Sequence, residues 1–159
     1  MGKLRHIAIT VPDPWAAAEF YRQAFGMTKV GETDHALARG VYLTDGVVNL
    51  ALLHYKTEAA AGERGCDFVG LHHIGFWVDD AAQARAQVEA AGAKWWTGEA
   101  PKEGNAFYEV KFHDPHGIPF DISTSGWAGA SKDGTPGGAG PALRHEGQVA
   151  DRAEAEPKT

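Results

Sequence analysis

One cysteine, Cys66, stands in a chain of 159 residues. A single thiol cannot staple a fold, which excludes a disulfide framework and suits a reducing, cytoplasmic setting. No apolar run approaches the roughly 18 residues that a membrane span needs. The opening MGKLRHIAIT carries no apolar signal core, so no secretory leader is expected. Basic residues are outnumbered, 15 against 21 acidic, for a formal charge of −6. With no basic stripe and no base-stacking signature, nucleic acid is not an expected partner, and neither is a membrane. Glycine, histidine and tryptophan are plentiful instead, at 20, 8 and 5 residues. Eight histidines in an acidic chain point toward metal binding or proton transfer. A hydrophobic fraction of 43% suits one domain with a real core.

Two stretches begin alike. LRHIAITVPD opens near the N-terminus and GLHHIGFWVDD opens at Gly70, each placing His-Ile at the head of a strand that ends on an acid. Leu4–Val11 alternates as a strand. A helix follows, with Asp13 as N-cap, Pro14 in the first turn and Gly26 as its stop. Its predicted buried stripe is Trp15, Ala18, Phe25 and either Ala17 or Tyr21. MTKVGE is a short strand, and HALARGVYLTDGVVNLALLHY a hairpin turning at Asp45-Gly46. Lys56–Asp67 is polar and glycine-containing and is read as a linker. The order then restarts: a strand over Leu71–Val78, a helix capped by Asp79 or Asp80 and stopped by Gly92, the short strand KWWTG, and a hairpin around Asp114-Pro115-His116-Gly117. His6 and His73 are 67 residues apart and Gly26 and Gly92 are 66 apart, so the repeat holds its register to within one residue.

The predicted fold is α+β: two βαβββ repeats forming a curved, cup-like mixed sheet with helices on the convex side. Residues 1–125 make one domain, with repeat one at 4–55, a linker at 56–68 and repeat two at 69–125. Residues 126–159 are a Gly/Ala/Pro-rich tail, expected to be flexible or an extended arm, with Trp127 as its one candidate anchor.

Parity separates the faces of the strands. Ile7/Ile9/Val11, Val48/Leu50/Leu52, Ile74/Phe76/Val78 and Ile118/Phe120/Ile122 are uniformly large and apolar, as a helix-covered face requires. The opposite sets each carry one coordinating or hydrogen-bonding group: His6, Asn49, His73 and Asp121. If these strands line one concave surface, two imidazoles and a carboxylate converge with Asn49 beside them. Such a set suits an open divalent transition-metal site for Fe, Mn, Ni, Co or Zn. His72, by parity, faces the helices unless a bulge shifts it. Tyr108 and Glu109 alternate, so one of them faces the cup.

RHIAITVPD…EFYRQAFGM, LHHIGFWVDD…AQVEAAGAK and VKFHDPHGIPFDIS together resemble the vicinal oxygen chelate superfamily. That superfamily holds glyoxalase I, small extradiol dioxygenases, methylmalonyl-CoA epimerase and bleomycin-resistance-type binding proteins. The resemblance covers roughly residues 4 to 124. It implies that His6, His73 and Asp121 bind one divalent metal, with Asp121 where the family usually has Glu. The fourth family position falls on Asn49, which counts against true glyoxalase I and stays closer to the epimerase. Extradiol relatives use a Tyr in such a position, which makes Tyr108 a catalytic candidate; His113, close to the site in sequence, is a candidate acid or base, Asn49 a hydrogen-bonder to substrate, and Trp77, by its shared parity with His73, an apolar wall of the pocket. The expected activity is a metal-dependent lyase or isomerase, or a ring-cleaving dioxygenase, acting on a small molecule as a homodimer. The alternative is a metal-free cup that sequesters a small molecule.

Overall fold

The computed structural model describes residues 1–104 and 106–136. Eight strands form one open, curled sheet in the order β2-β3-β4-β1-β5-β8-β7-β6. The first half supplies β1 (Lys3–Thr10), α1 (Pro14–Phe25), β2 (Thr28–Asp34), β3 (Ala38–Thr44) and β4 (Asn49–Tyr55). The second supplies β5 (Gly70–Trp77), α3 (Ala81–Ala90), β6 (Lys94–Thr97), β7 (Val110–His113) and β8 (Pro119–Ser123). Between them, where the sequence reads as a linker, Glu58–Ala61 form the short helix α2, capped by Thr57, and Gly62–Arg64 a further tight turn. The order is the same in both halves, read outward from a seam where β1 and β5 pair antiparallel. Each half also pairs its first and last strands in parallel, β1 with β4 and β5 with β8. No helix among the described residues is long and apolar enough to cross a membrane.

Local chemistry explains the boundaries. Asp13 Oδ1 accepts from the Trp15 and Ala16 amides at 3.0 and 3.1 Å, and Gly26 closes α1 at φ +68°. This satisfies amides that a helix start leaves orphaned. In the second half Asp80 takes the cap, accepting from the Gln83 amide at 2.9 Å. Asp79 instead pairs with the N-terminal amine and Lys132. The carboxylates of Asp45 and Asp114 tie the two hairpin loops, accepting from Val47 and Val48 and from His116 and Ile118.

Helices α1 and α3 cover one face of the sheet. Ala18 packs on Val41, Leu43, Leu50 and Leu52, and Ala84 on Val78, Val110, Phe112, Phe120 and Ile122. The α1 stripe is rotated from its prediction. Pro14 and Ala18 are buried, and Ala17 and Tyr21 pack beside them, whereas Trp15 and Phe25 are exposed. Trp15 reaches sideways to Glu32 on β2, and the Phe25 ring lies against those of Phe20 and Tyr21 on its own helix.

The opposite face is buried as well, and the cause is the tail. Trp127, Ala128, Ala130 and Ser131 are all buried. The Ser131 amide donates to the Val47 carbonyl at 3.0 Å, and Arg5 Nε donates to the Ser131 carbonyl at 2.5 Å. Residues 126–131 are thus a packed arm within the domain, the extended-arm alternative of the two that the Gly/Ala-rich composition left open. Small side chains are what a narrow cup accepts once the backbone enters it. The remainder of the expected tail, 137–159, lies outside the described residues.

Candidate metal centre

A single transverse row of paired residues crosses six strands: Thr44, Asn49, His6, Gly75, Asp121 and Lys111. His73 belongs to the next row, opposite Ala8. Period-two alternation puts all of these side chains on the concave face. His6, Asn49, His73 and Asp121 are each less than 5% exposed there. The sheet brings His6, His73 and Asp121 together so that one ligand atom from each lies within 4.8 Å of the others. All three belong to one chain, because β1 and β5 pair directly.

Hydrogen bonds decide which ring nitrogens face the cluster. Asn49 Nδ2 donates to the Ala128 carbonyl at 2.9 Å, so its Oδ1 is the atom facing His6 Nδ1, 2.7 Å away. An amide oxygen only accepts, so His6 Nδ1 carries the proton and Nε2 carries the lone pair. A register shift at Ala8/Ile9 leaves His72 as an extra residue on β5, which overturns its simple parity. His72 Nε2 donates to the Ala61 carbonyl at 2.9 Å, and its Nδ1 accepts from His73 Nδ1 at 2.9 Å. His73 therefore also aims an Nε2 lone pair inward. The two Nε2 atoms stand 3.2 Å apart, and His73 Nε2 lies 3.4 Å from Asp121 Oδ2.

Two facing lone pairs beside a carboxylate are mutually repulsive until a cation joins them. Asp121 Oδ1 is buried with no hydrogen-bond partner among the described residues. Burial keeps the rings neutral, the state a ligand needs: it holds His6 down at about 4 and His73 well below the ordinary range. These observations fit a divalent metal held by His6 Nε2, His73 Nε2 and Asp121, with each imidazole oriented through its other nitrogen.

Two charged residues flank the cluster. Lys111 Nζ bonds Asp121 Oδ2 at 2.5 Å and Glu109 Oε2 at 3.2 Å. Glu109 Oε1 accepts from Trp127 Nε1 at 2.7 Å. Burial raises the Glu109 carboxyl, but Lys111, His6 and Trp127 outweigh it and leave the group ionised down to about 2. Asp121 moves the other way, to about 7, through burial and the nearby Glu109, with Lys111 opposing.

Other expected site residues lie elsewhere. Tyr108 turns to the helix side, where its hydroxyl bonds Thr124 Oγ1 at 2.8 Å; Glu109 is the residue facing the cup. His113 sits two residues, about 7 Å, along β7 from Lys111, with its ring against Trp96. Asn49 has both ends of its amide engaged by protein and is 1% exposed, so it offers nothing to a substrate. Trp77 is covered by Trp127 and Ala130, and its indole donates to the Thr124 carbonyl, so it is no open wall. Glu109, Lys111 and Trp127 complete the site beyond the expected ligands. A lysine and a glutamate alternating within EVKF, on a strand paired with Asp121, was the available signal for the first two.

The residue pattern of the Glyoxalase/Bleomycin resistance protein/Dioxygenase superfamily matches residues 3–122. An ethylmalonyl-CoA/methylmalonyl-CoA epimerase of Cereibacter sphaeroides is 34% identical over 125 residues, covering 72% of this chain and 90% of that protein. The fold is shared with methylmalonyl-CoA epimerase of Streptomyces coelicolor, solved with 2-nitronate-propionyl-CoA. The two are 23% identical with a TM-score of 0.62, over 76% of this chain and 94% of that one. It is shared too with the epimerase of Mycobacterium tuberculosis, at 20% identity and a TM-score of 0.61, over 75% of this chain and 85% of that one.

Proposed function

The chain belongs to the Glyoxalase/Bleomycin resistance protein/Dioxygenase superfamily, and on that premise we propose that it is a divalent-metal-dependent isomerase. Its substrate class is a carbon acid next to a carbonyl, of the acyl-CoA kind named for the 34% identical relative. His6, His73 and Asp121 would hold the metal, which is Fe, Mn, Ni, Co or Zn by its donor set. The metal supplies Lewis-acid stabilisation of an enolate oxygen. The observation that carries this reading is the inward aim of both Nε2 atoms beside the unpartnered Asp121 Oδ1.

The chain's own groups orient and hold charge. Asn49 and His72 fix the imidazole tautomers. Lys111 and Trp127 keep Glu109 ionised, so at neutral pH it faces the cup as a proton acceptor and not as a donor. Ring cleavage of a catechol is less well supported, because the phenol of Tyr108 points away from the cup.

Elemental analysis of protein purified without added metal or chelator tests the proposal, alongside His73→Ala. About one equivalent of transition metal, lost in the variant, is expected. Solvent deuterium should then enter the α-carbon of a methylmalonyl-CoA-type thioester. A specific observation favours a second reading. Lys111 already places a cation on Asp121, which would suit a metal-free binding cup. Absence of metal, with no uptake when it is offered, would establish that second reading instead.

A further inference from the structure

The arm at residues 126–131 lies beyond the part of the chain that matches the superfamily, yet it touches the candidate centre at two points. We infer that this arm sets the tautomer and ring plane of His6, which makes Trp127 and Asn49 positioning residues of the metal centre. The inference rests on the metal-enzyme reading for its purpose.

The first contact runs through a main-chain carbonyl. An asparagine amide can face an imidazole with either its oxygen or its nitrogen, and the two choices select opposite tautomers. The Ala128 carbonyl accepts from Asn49 Nδ2 and so removes one choice. Oδ1 is left facing His6, Nδ1 must carry the proton, and Nε2 is freed for the cluster. Without the carbonyl, nothing in the Asn49–His6 pair prefers the metal-binding tautomer.

The second contact is the indole. The Trp127 ring lies on the His6 ring at 4.9 Å between centroids and 6° between planes. Its Nε1 is fixed by Glu109 at 2.7 Å, so the stack cannot slide. The sheet is shaped for it. A Cβ on Gly75 would meet Trp127 Cζ2 at 2.7 Å and His6 Cβ at 2.9 Å, so only glycine leaves room for the indole beside the imidazole. Gly126 turns the chain at φ +69° so tightly over Trp77 that a Cβ there would come within 2.4 Å of that ring. The arm is held down independently by Thr44 Oγ1 donating to the Gly129 carbonyl at 2.7 Å.

The test is the protonation pattern of His6 in full-length, metal-free, nitrogen-15-labelled protein, read from long-range proton–nitrogen correlations of the imidazoles. Wild type is expected to show a single tautomer with the proton on Nδ1. Asn49→Leu and Trp127→Ala are expected to show mixed or reversed tautomers. Their Co(II) dissociation constants should rise about 10–100-fold, as for other residues that orient metal ligands, with a shifted Co(II) visible spectrum. Trp127→Phe keeps a ring on His6 and should keep the tautomer. A wild-type proton on Nε2 would overturn the inference, and so would an unchanged Nδ1–H tautomer in both folded variants. If one variant does not fold, an unchanged Nδ1–H tautomer in the other overturns the inference. Because the tautomer is read without metal, a failure to bind Co(II) would count against the proposed function alone.

Discussion

In the first half of the chain the residue opposite the histidine on the last strand is a neutral amide; in the second half it is not opposite the histidine at all. His6 pairs across to Asn49, and the amide closes onto its Nδ1 at 2.7 Å. The residue paired with Asp121 is Gly75, two positions along from His73. This slip keeps the carboxylate off the outer nitrogen of its own half's imidazole and lets it face the shared cluster. The flanking strands follow suit. Thr44 and Tyr42 on β3 take the places that Lys111 on β7 and Glu109 just before it hold in the second half, since Thr44 pairs with Asn49 as Lys111 pairs with Asp121. All the charge of the centre therefore sits on the second half, and the first half supplies shape and neutral hydrogen bonds. A duplicated backbone has been given one half that orients and one half that carries charge.

The largest effect should come from making the second half resemble the first. Asp121→Asn removes the anionic ligand and is expected to abolish metal retention, as measured by elemental analysis after dialysis. The reverse change, Asn49→Asp, gives the first half a carboxylate but leaves the buried Ala128 carbonyl without its donor. A loss of about 1–3 kcal/mol in urea unfolding is expected for a buried group stranded in this way. His72→Ala removes the acceptor that orients His73, a role Asn49 plays for His6. It should weaken Co(II) binding by about 10–100-fold while leaving one metal per chain.

The smallest effect sets Asp121 against the imidazoles by pH in metal-free protein, since burial lowers His73 in the same direction as His6. His6 has a folded value of about 4 against an ordinary 6.5. The unfolded chain binds the extra proton between those values, so this residue makes stability fall as pH drops from 6.5 toward 4. Asp121 has a folded value of about 7 against an ordinary 3.8. There the folded chain holds the extra proton, so stability falls as pH rises from 3.8 toward 7. The two slopes oppose each other. Asp121→Asn should therefore make metal-free stability climb more steeply with pH between about 4 and 6.5 than it does in wild type. Urea midpoints across that window check the sign.

Alternation along the strands was enough to place His6, Asn49, His73 and Asp121 on one face. The caps at Asp13, Gly26 and Asp80 and the loops at Asp45 and Asp114 were legible because their chemistry is local. Glu109 was not distinguished from Tyr108, since the two alternate but precede β7, and no strand pairing reaches them to say which turns inward. His72 was left between the helix side and a bulge-shifted position, because a bulge reverses parity without leaving a signature in residue type. For the segment from Gly126 the choice between a flexible tail and an extended arm stayed open, because Gly, Ala and Ser in series read as solvent-loving chain when no cup is there to receive them.

By itself, then, the sequence determined the repeat, the α+β sheet and the residue types that one face would carry, because period, caps and turns act over a few neighbours. Tertiary structure decided that His6 and His73 meet within one chain, which nitrogens point inward, and that Trp127 lies over the centre. Those outcomes depend on the β1–β5 seam and on main-chain carbonyls of Ala61 and Ala128, which every residue type possesses and which only the folded chain can aim.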